Sequence, residues 1–320
     1  MPHSPRFRAL PGFHIRPGPA CYTRRIRRRS IAVPEPALLT TISGARAYTR
    51  EVRARGLRVG LVPTMGALHA GHQSLIERAA SECDRVAVSV FVNPIQFDSP
   101  ADLATYPRTL DADTERAAQA GATALFVPSE REMYPDGKPL TLVRVSGLTE
   151  VLEGAHRPGH FDGVTTVCAK LFEACEPDRA YFGEKDYQQL RVVSRMAWDL
   201  NMAVEIVPCP LIREEDGLAL SSRNVRLSDK ERRQALSISR GLKAAEAAFQ
   251  EGERRADALK ALAAEPVASA PLAEPDYLEL VDAETLETVE TAEAPAVLLT
   301  AVRMPSARLL DNVILDPTRR

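Results

Sequence analysis

Apolar residues along this chain fall into short, bounded runs, separated by longer stretches in which they recur every three to four positions. Leu57–Val62, Arg85–Phe91, Thr123–Val127 and Ala203–Val207 carry Val, Leu or Phe between Pro, Asp and Gly, so they read as buried strands. Ala180–Phe182 reads as a further short strand. Gly71–Cys83, Leu110–Ala120, Gly163–Ala174 and Tyr187–Leu200 show helical spacing; in the first of them Leu75, Ile76, Ala79 and Ala80 share one face. Strand and helix in alternation predict βαβ units around a parallel sheet, hence an α/β, Rossmann-like domain.

Past about Leu211 the texture changes. Two charged, Ala-rich helical patterns, Ser228–Gln250 and Arg254–Ala264, run into an Ala/Glu/Pro-rich linker over 262–275. Tyr277–Val281, Val297–Val302 and Leu309–Ile314 then read as a small, mostly antiparallel sheet. The pattern predicts a boundary near Ile212, with 37–211 forming the parallel-sheet domain and 212–320 a smaller C-terminal α+β domain. Residues 1–36, rich in Arg and Pro, are expected to be a disordered extension.

Composition adds limits. At 320 residues and 45% hydrophobic, the chain can bury a large core. Its formal net charge is −2, but residues 1–34 hold eight Arg and no acid; removing them leaves 33 basic against 43 acidic groups, a balance of about −10. A body so acidic argues against a nucleic-acid binder. The leader itself stays open to three readings: an organellar transit peptide, a nucleic-acid arm, or translated sequence upstream of the true start. Five cysteines (Cys21, Cys83, Cys168, Cys175, Cys209) form no CxxC pair, which predicts neither a disulfide framework nor a zinc site and fits a cytoplasmic location. Cys168 and Cys175 are seven apart and should share a buried helix face. No run of 18 apolar residues exists, so no membrane span is expected.

The sharpest chemical feature is Pro63-Thr64-Met65-Gly66-Ala67-Leu68-His69-Ala70-Gly71-His72, directly after the first expected strand and at the start of the first expected helix. Ligands of open parallel sheets bind at the carboxyl ends of strands, where a helix N-terminus offers unpaired N–H groups and partial positive charge. Two His at i, i+3 there lie on one face and can both donate to one phosphate chain. Taken alone, an HxGH is more often a helix cap or a solvated surface. Gly183-Glu184-Lys185-Asp186 repeats the strand-to-helix arrangement and adds a Lys. Leu220-Ser221-Ser222-Arg223 offers two hydroxyls and a guanidinium fork. Asp111 and Asp113 could help hold magnesium, or could equally cap the helix beginning there.

The HxGH in this context resembles the nucleotidylyltransferase superfamily. The further segments narrow the match: Phe91-Val92-Asn93-Pro94-Ile95-Gln96-Phe97, Tyr106-Pro107-Arg108-Thr109, Met133-Tyr134-Pro135, Glu153-Gly154, Arg157-Pro158-Gly159-His160-Phe161, Phe182 to Leu190 and Asp216 to Asn224 together resemble the pantothenate synthetase family, from about Thr40 to Ile314. The resemblance implies an ATP-dependent ligase that joins pantoate to β-alanine through a pantoyl adenylate, with Mg2+ and as a homodimer. It implies ATP contacts from Met65 through His72, from Gly183 through Asp186, from Cys209, and from Leu220 through Arg223. It makes His69, His72, Lys185, Ser221, Ser222 and Arg223 the catalytic set, with His72 as proton donor. Gln96 and Gln189 would hold pantoate, with Asn93 a further candidate; Tyr106, Arg157 and His160 would stand nearby. The chain departs from the common family pattern at Ala70, where Glu is frequent, at Leu220, where Met is, and at Cys209, where Val is. The rival readings are an adenylyl transferase without an amine step, and a nucleotide sensor or RNA-binding protein using the Arg-rich arm.

Overall fold

The computed structural model describes residues 35–318. The Arg-rich leader and Cys21 lie outside the described residues. Strand β1 (Ala37–Leu39) and helix α1 (Ile42–Ala54) open the fold, followed by β2 (Val59–Thr64), α2 (Ala70–Glu82) and β3 (Arg85–Val90). A short α3 (Pro100–Thr105) and α4 (Leu110–Ala120) lead to β4 (Ala124–Phe126), α5 (Glu130–Met133), α6 (Glu153–His156) and α7 (His160–Cys175). Then come β5 (Arg179–Gly183), α8 (Tyr187–Asp199) and β6 (Glu205–Cys209). Helices α9 (Asp229–Gln250) and α10 (Ala256–Ala268) precede β7 (Glu274–Asp282), β8 (Ala296–Arg303) and β9 (Arg308–Leu315).

The first six strands form one parallel sheet in the order β1-β4-β3-β2-β5-β6. Because helices cover both faces, its inner strands are largely apolar: Leu61 and Ala87 pack into one core, Val62, Val86 and Val88 into the other. The chain winds one way from β2 through β3 to β4 and the other way from β5 to β6, so the order reverses between β2 and β5. A crevice opens at such a reversal, at the carboxyl ends of the two strands. The last three strands form an antiparallel sheet, β7-β8-β9, on which α9 and α10 pack. Its Val281, Val297 and Leu299 also join the first core.

Three expectations change. β1 and α1 lie in a stretch for which no element was expected. α10 runs on to Ala268 through Pro266, inside the segment read as a linker, because Leu259, Ala263 and Val267 bury one face against α9 and β7. Ala80, expected on the buried face of α2, is exposed. Cys168 and Cys175 do share a buried face of α7. Among the described residues, no helix is long and apolar enough to cross a membrane.

Candidate active site

At the end of β2 the chain turns through Gly66 and Ala67, both at positive φ, and enters α2 with His69 as N-cap. His69 Nδ1 accepts the Gly71 N–H at 3.1 Å, and His72 Nδ1 accepts the His69 N–H at 3.4 Å. The two imidazoles thus build a reciprocal capping box, the work usually done by Ser and Glu. With each Nδ1 engaged as an acceptor, a neutral ring carries its proton on Nε2. Burial pulls His69 down to about 4, helped by Lys185, and burial pulls His72 down to about 3, helped by His69. Both rings are therefore neutral near pH 7, each with one Nε2–H to donate. They lie 4.1 Å apart between centroids. Gly71 is required because a Cβ there would stand 2.9 Å from the His69 ring.

These rings line a cavity of about 230 Å³ at the sheet's reversal point. Met65, Gly183, Lys185, Asp186, Gln96, Gln189, Asn93, Tyr106 and the Leu220–Arg223 segment face the same space. Lys185 arrives on the turn after β5, with its Nζ 3.2 Å from Asp186 Oδ1. Burial works against the Asp186 carboxylate, yet Lys185 holds it below its ordinary range. Ser221, Ser222 and Arg223 sit on a turn pinned by Asn224, whose Nδ2 donates to Glu214 Oε1 and the Ala219 carbonyl. Burial raises the Tyr106 phenol, opposed by its hydrogen bond to Ser222. The Arg223 guanidinium stands 3.9 Å from Asp102.

Gln96 sits on the short 3-10 turn Pro94–Gln96. Asn93 Nδ2 donates to Gln96 Oε1 and to the Gly163 carbonyl, while Tyr134 donates to Asn93 Oδ1. Asn93 is thus consumed in orienting Gln96, whose Nε2 is turned toward Met65 Sδ at 3.3 Å. A second cavity of about 120 Å³ shares Met65, Gln96, Lys185, Asp186, Gln189 and Arg223 with the first. Arg157 and His160 line it from one side, Tyr277 and Thr300 of the small sheet from the other. His160 Nδ1–H donates to the Gln96 carbonyl at 2.8 Å, and burial, then Arg157, lowers the ring to about 4.

Not every expected group reaches the cavity. Leu68 is fully buried, and the N–H groups of Ala67 and Leu68 are taken up by the Asp113 carboxylate at 3.0 and 2.7 Å. Gly66, Ala70 and Glu184 are not in the lining, and Cys209 is a core thiol pushed up to about 12 by burial. The magnesium alternative for Asp111 and Asp113 does not fit: Asp113 is fully buried and bonded to three donors, and Asp111 is exposed on the first turn of α4. Among the described residues no three His, Cys, Asp or Glu cluster as a metal site.

Sequence reasoning missed two features. Asn312 of β9 donates to the carbonyls of Glu184 and Lys185, both at 2.9 Å, tying the small sheet to the lysine turn. Glu153 at the rim of the second cavity is gripped by Arg308 and Tyr277 from 155 and 124 residues away. Glu153 itself stood in one of the segments that carried the resemblance, but neither set of partners had a local signal to find.

A parallel α/β sheet with a neutral His pair at its reversal point, facing a lysine, a Ser-Ser-Arg turn and a second contiguous cavity, defines a nucleotide-using enzyme with room for a further substrate. The family model described as pantoate-beta-alanine ligase matches residues 37–314, and the chain belongs to that family. It is 50% identical over 279 residues to the pantothenate synthetase of Moorella thermoacetica, covering 87% of this chain and 98% of that protein. The crystal structure of pantothenate synthetase from Thermus thermophilus is similar, with a TM-score of 0.82 at 46% identity, covering 88% of this chain and all of that one. A Francisella tularensis pantoate-beta-alanine ligase, complexed with beta-gamma ATP and beta-alanine, superposes with a TM-score of 0.73 at 33% identity, over 87% of this chain and 97% of that one.

Proposed function

We propose that the paired cavities carry out ATP-dependent condensation of pantoate with β-alanine in two steps. The pantoate carboxylate oxygen attacks the α-phosphorus of ATP; the bond to the bridging oxygen breaks and pyrophosphate leaves with its electrons. The β-alanine amine then attacks the acyl carbon of the pantoyl adenylate, loses a proton, and expels AMP.

The observation that carries this reading is the His69–His72 pair, fixed through both Nδ1 atoms at the start of α2 and lining the same cavity as Lys185 and Ser221–Arg223. Neutral donors held in place need no reorganisation as charge moves onto the departing pyrophosphate, which is how such sites lower a barrier. Lys185 and Arg223 supply the countercharge, and Ser221 and Ser222 further hydroxyl donors. Gln96, its amide fixed by Asn93, and Gln189 suit pantoate, since neutral amides orient a carboxylate and hydroxyls without trapping the nucleophile in an ion pair. The second cavity, beside Arg157 and His160, suits β-alanine. Magnesium would arrive as the counter-ion of the nucleotide rather than in a protein cage.

We place the domain boundary near Ile212, at the cleft, and take the assembly to be a homodimer in the cytoplasm on family grounds. Substrate omission tests the function. Sustained release of AMP and pyrophosphate should require ATP, pantoate and β-alanine together. Turnover indifferent to β-alanine would indicate an adenylyl transferase instead.

A further inference from the structure

Gly66 (φ 81°) and Ala67 (φ 50°) are successive left-handed residues between β2 and α2. A turn of this kind aims consecutive backbone N–H groups at one point and makes a small anion-binding concavity. The concavity is already filled. The Ala67 and Leu68 N–H groups converge on the Asp113 carboxylate, and Thr109 Oγ1 adds a donor at 3.1 Å. From the next turn of α4, Arg116 Nη1 reaches the Leu68 carbonyl. One helix therefore grips the residue before His69 by its N–H and its C=O together. Contact is close enough that a Cβ at Gly66 would meet Asp113 Oδ2 at 3.0 Å.

Burying a carboxylate is costly unless every lone pair finds a donor, so a fully buried Asp113 is an expensive way to hold a loop that apolar packing could hold. Two consequences justify it. His69 and His72 are bonded to each other's turn, so any tilt of the loop moves both Nε2–H groups at once. An empty concavity beside the cap would also offer phosphate a rival seat. We infer that Asp113, assisted by Arg116, is a positioning residue for ATP: it sets the angle of the His69–His72 cap and occupies the neighbouring anion pocket, so that the polyphosphate has one seat rather than two. This rests on the reading of the cavity as an ATP site.

The test is direct ATP binding by calorimetry in the absence of pantoate, together with steady-state KM for pantoate, on the full chain. Asp113→Asn keeps size but turns an acceptor into a donor facing an N–H. It should weaken ATP binding about tenfold or more, while pantoate KM stays within about twofold. Should circular dichroism show Asp113→Asn unfolded, the exposed Arg116 decides: Arg116→Ala should weaken ATP about threefold, and Arg116→Lys should restore most of it. Unchanged ATP affinity in the folded variant, or ATP and pantoate constants drifting in step, would overturn the assignment. A wild type that binds ATP yet makes no product would refute the ligase reading, and the ATP affinity ratio would still decide this one.

Discussion

Burial denies charge to the His69 and His72 imidazoles, and the helix cap takes their Nδ1 lone pairs, so each neutral ring keeps its proton on Nε2. Replacing His72 by Ala removes both a donor and half of the capping box. kcat should fall by roughly 10²–10³, the usual loss for one pre-aimed donor in an anion site, read by pyrophosphate release. A drop of only a few-fold would remove His72 from the phosphate seat. At this scale the sequence was legible wherever local spacing carries the chemistry: HxGH, the lysine turn and the Ser-Ser-Arg segment all reach one cavity. It was illegible wherever a contact spans the chain. Nothing near Asp113 announces that its carboxylate serves residues 67 and 68, and nothing near Asn312 announces the lysine turn.

Elements hold these residues through close backbone approaches that two glycines permit. A Cβ on Gly163 of α7 would lie 2.6 Å from the Ile95 carbonyl oxygen and 2.7 Å from Gln96 Cα, so that helix presses directly on the turn bearing Gln96. Gly163→Ala should push the turn away, raising pantoate KM several-fold while ATP binding changes little; equal shifts in both would count against a pantoate role for Gln96. Gly241 of α9 lies closer still to α10, where a Cβ would meet the Ala263 carbonyl oxygen at 2.1 Å. Gly241→Ala is a contrasting control. It should cost about 1–3 kcal/mol or more of stability in denaturant unfolding, through overpacking, without altering either substrate constant in the folded fraction. The inner strands were readable because burial on both faces makes them largely apolar. β1 was not: it is three residues long, carries no fully buried position, and is defined only by its pairing with β4. α1 buries just Ala45, Thr49 and Val52, too few apolar positions among its arginines to stand out. In α10 the Pro266 ring suggested a break, but near a helix end the lost hydrogen bond matters less than seating Val267 in the core.

Across the whole molecule, three shielded histidines make stability depend on pH. His69, His72 and His160 titrate at about 4, 3 and 4 in the fold, against an ordinary value of 6.5. Below about pH 6.5 the unfolded chain takes up protons that the native state refuses, so stability falls as the pH drops through this window and keeps falling until the folded values are reached. Carboxylates held low, such as Asp186 and Asp216, lose their contribution only further down. The melting temperature should therefore decline between pH 7 and 5, and His160→Gln should flatten that slope; an unchanged slope would contradict burial of a neutral His160. The small sheet is tied to the rest of the fold by Arg308 of β9, which is held by Asp276 of β7 and reaches Glu153 of α6, and by the Asn312 bonds to the lysine turn.

If the site works as proposed, the ATP polyphosphate rests on the start of α2. The most direct measurement is a crystal structure of the protein with a non-hydrolysable ATP analogue. β- and γ-phosphate oxygens should lie about 3 Å from Nε2 of both His69 and His72, with Lys185 and Arg223 closing on the same groups. A polyphosphate bound away from α2, with both imidazoles making no contact to it, would contradict it.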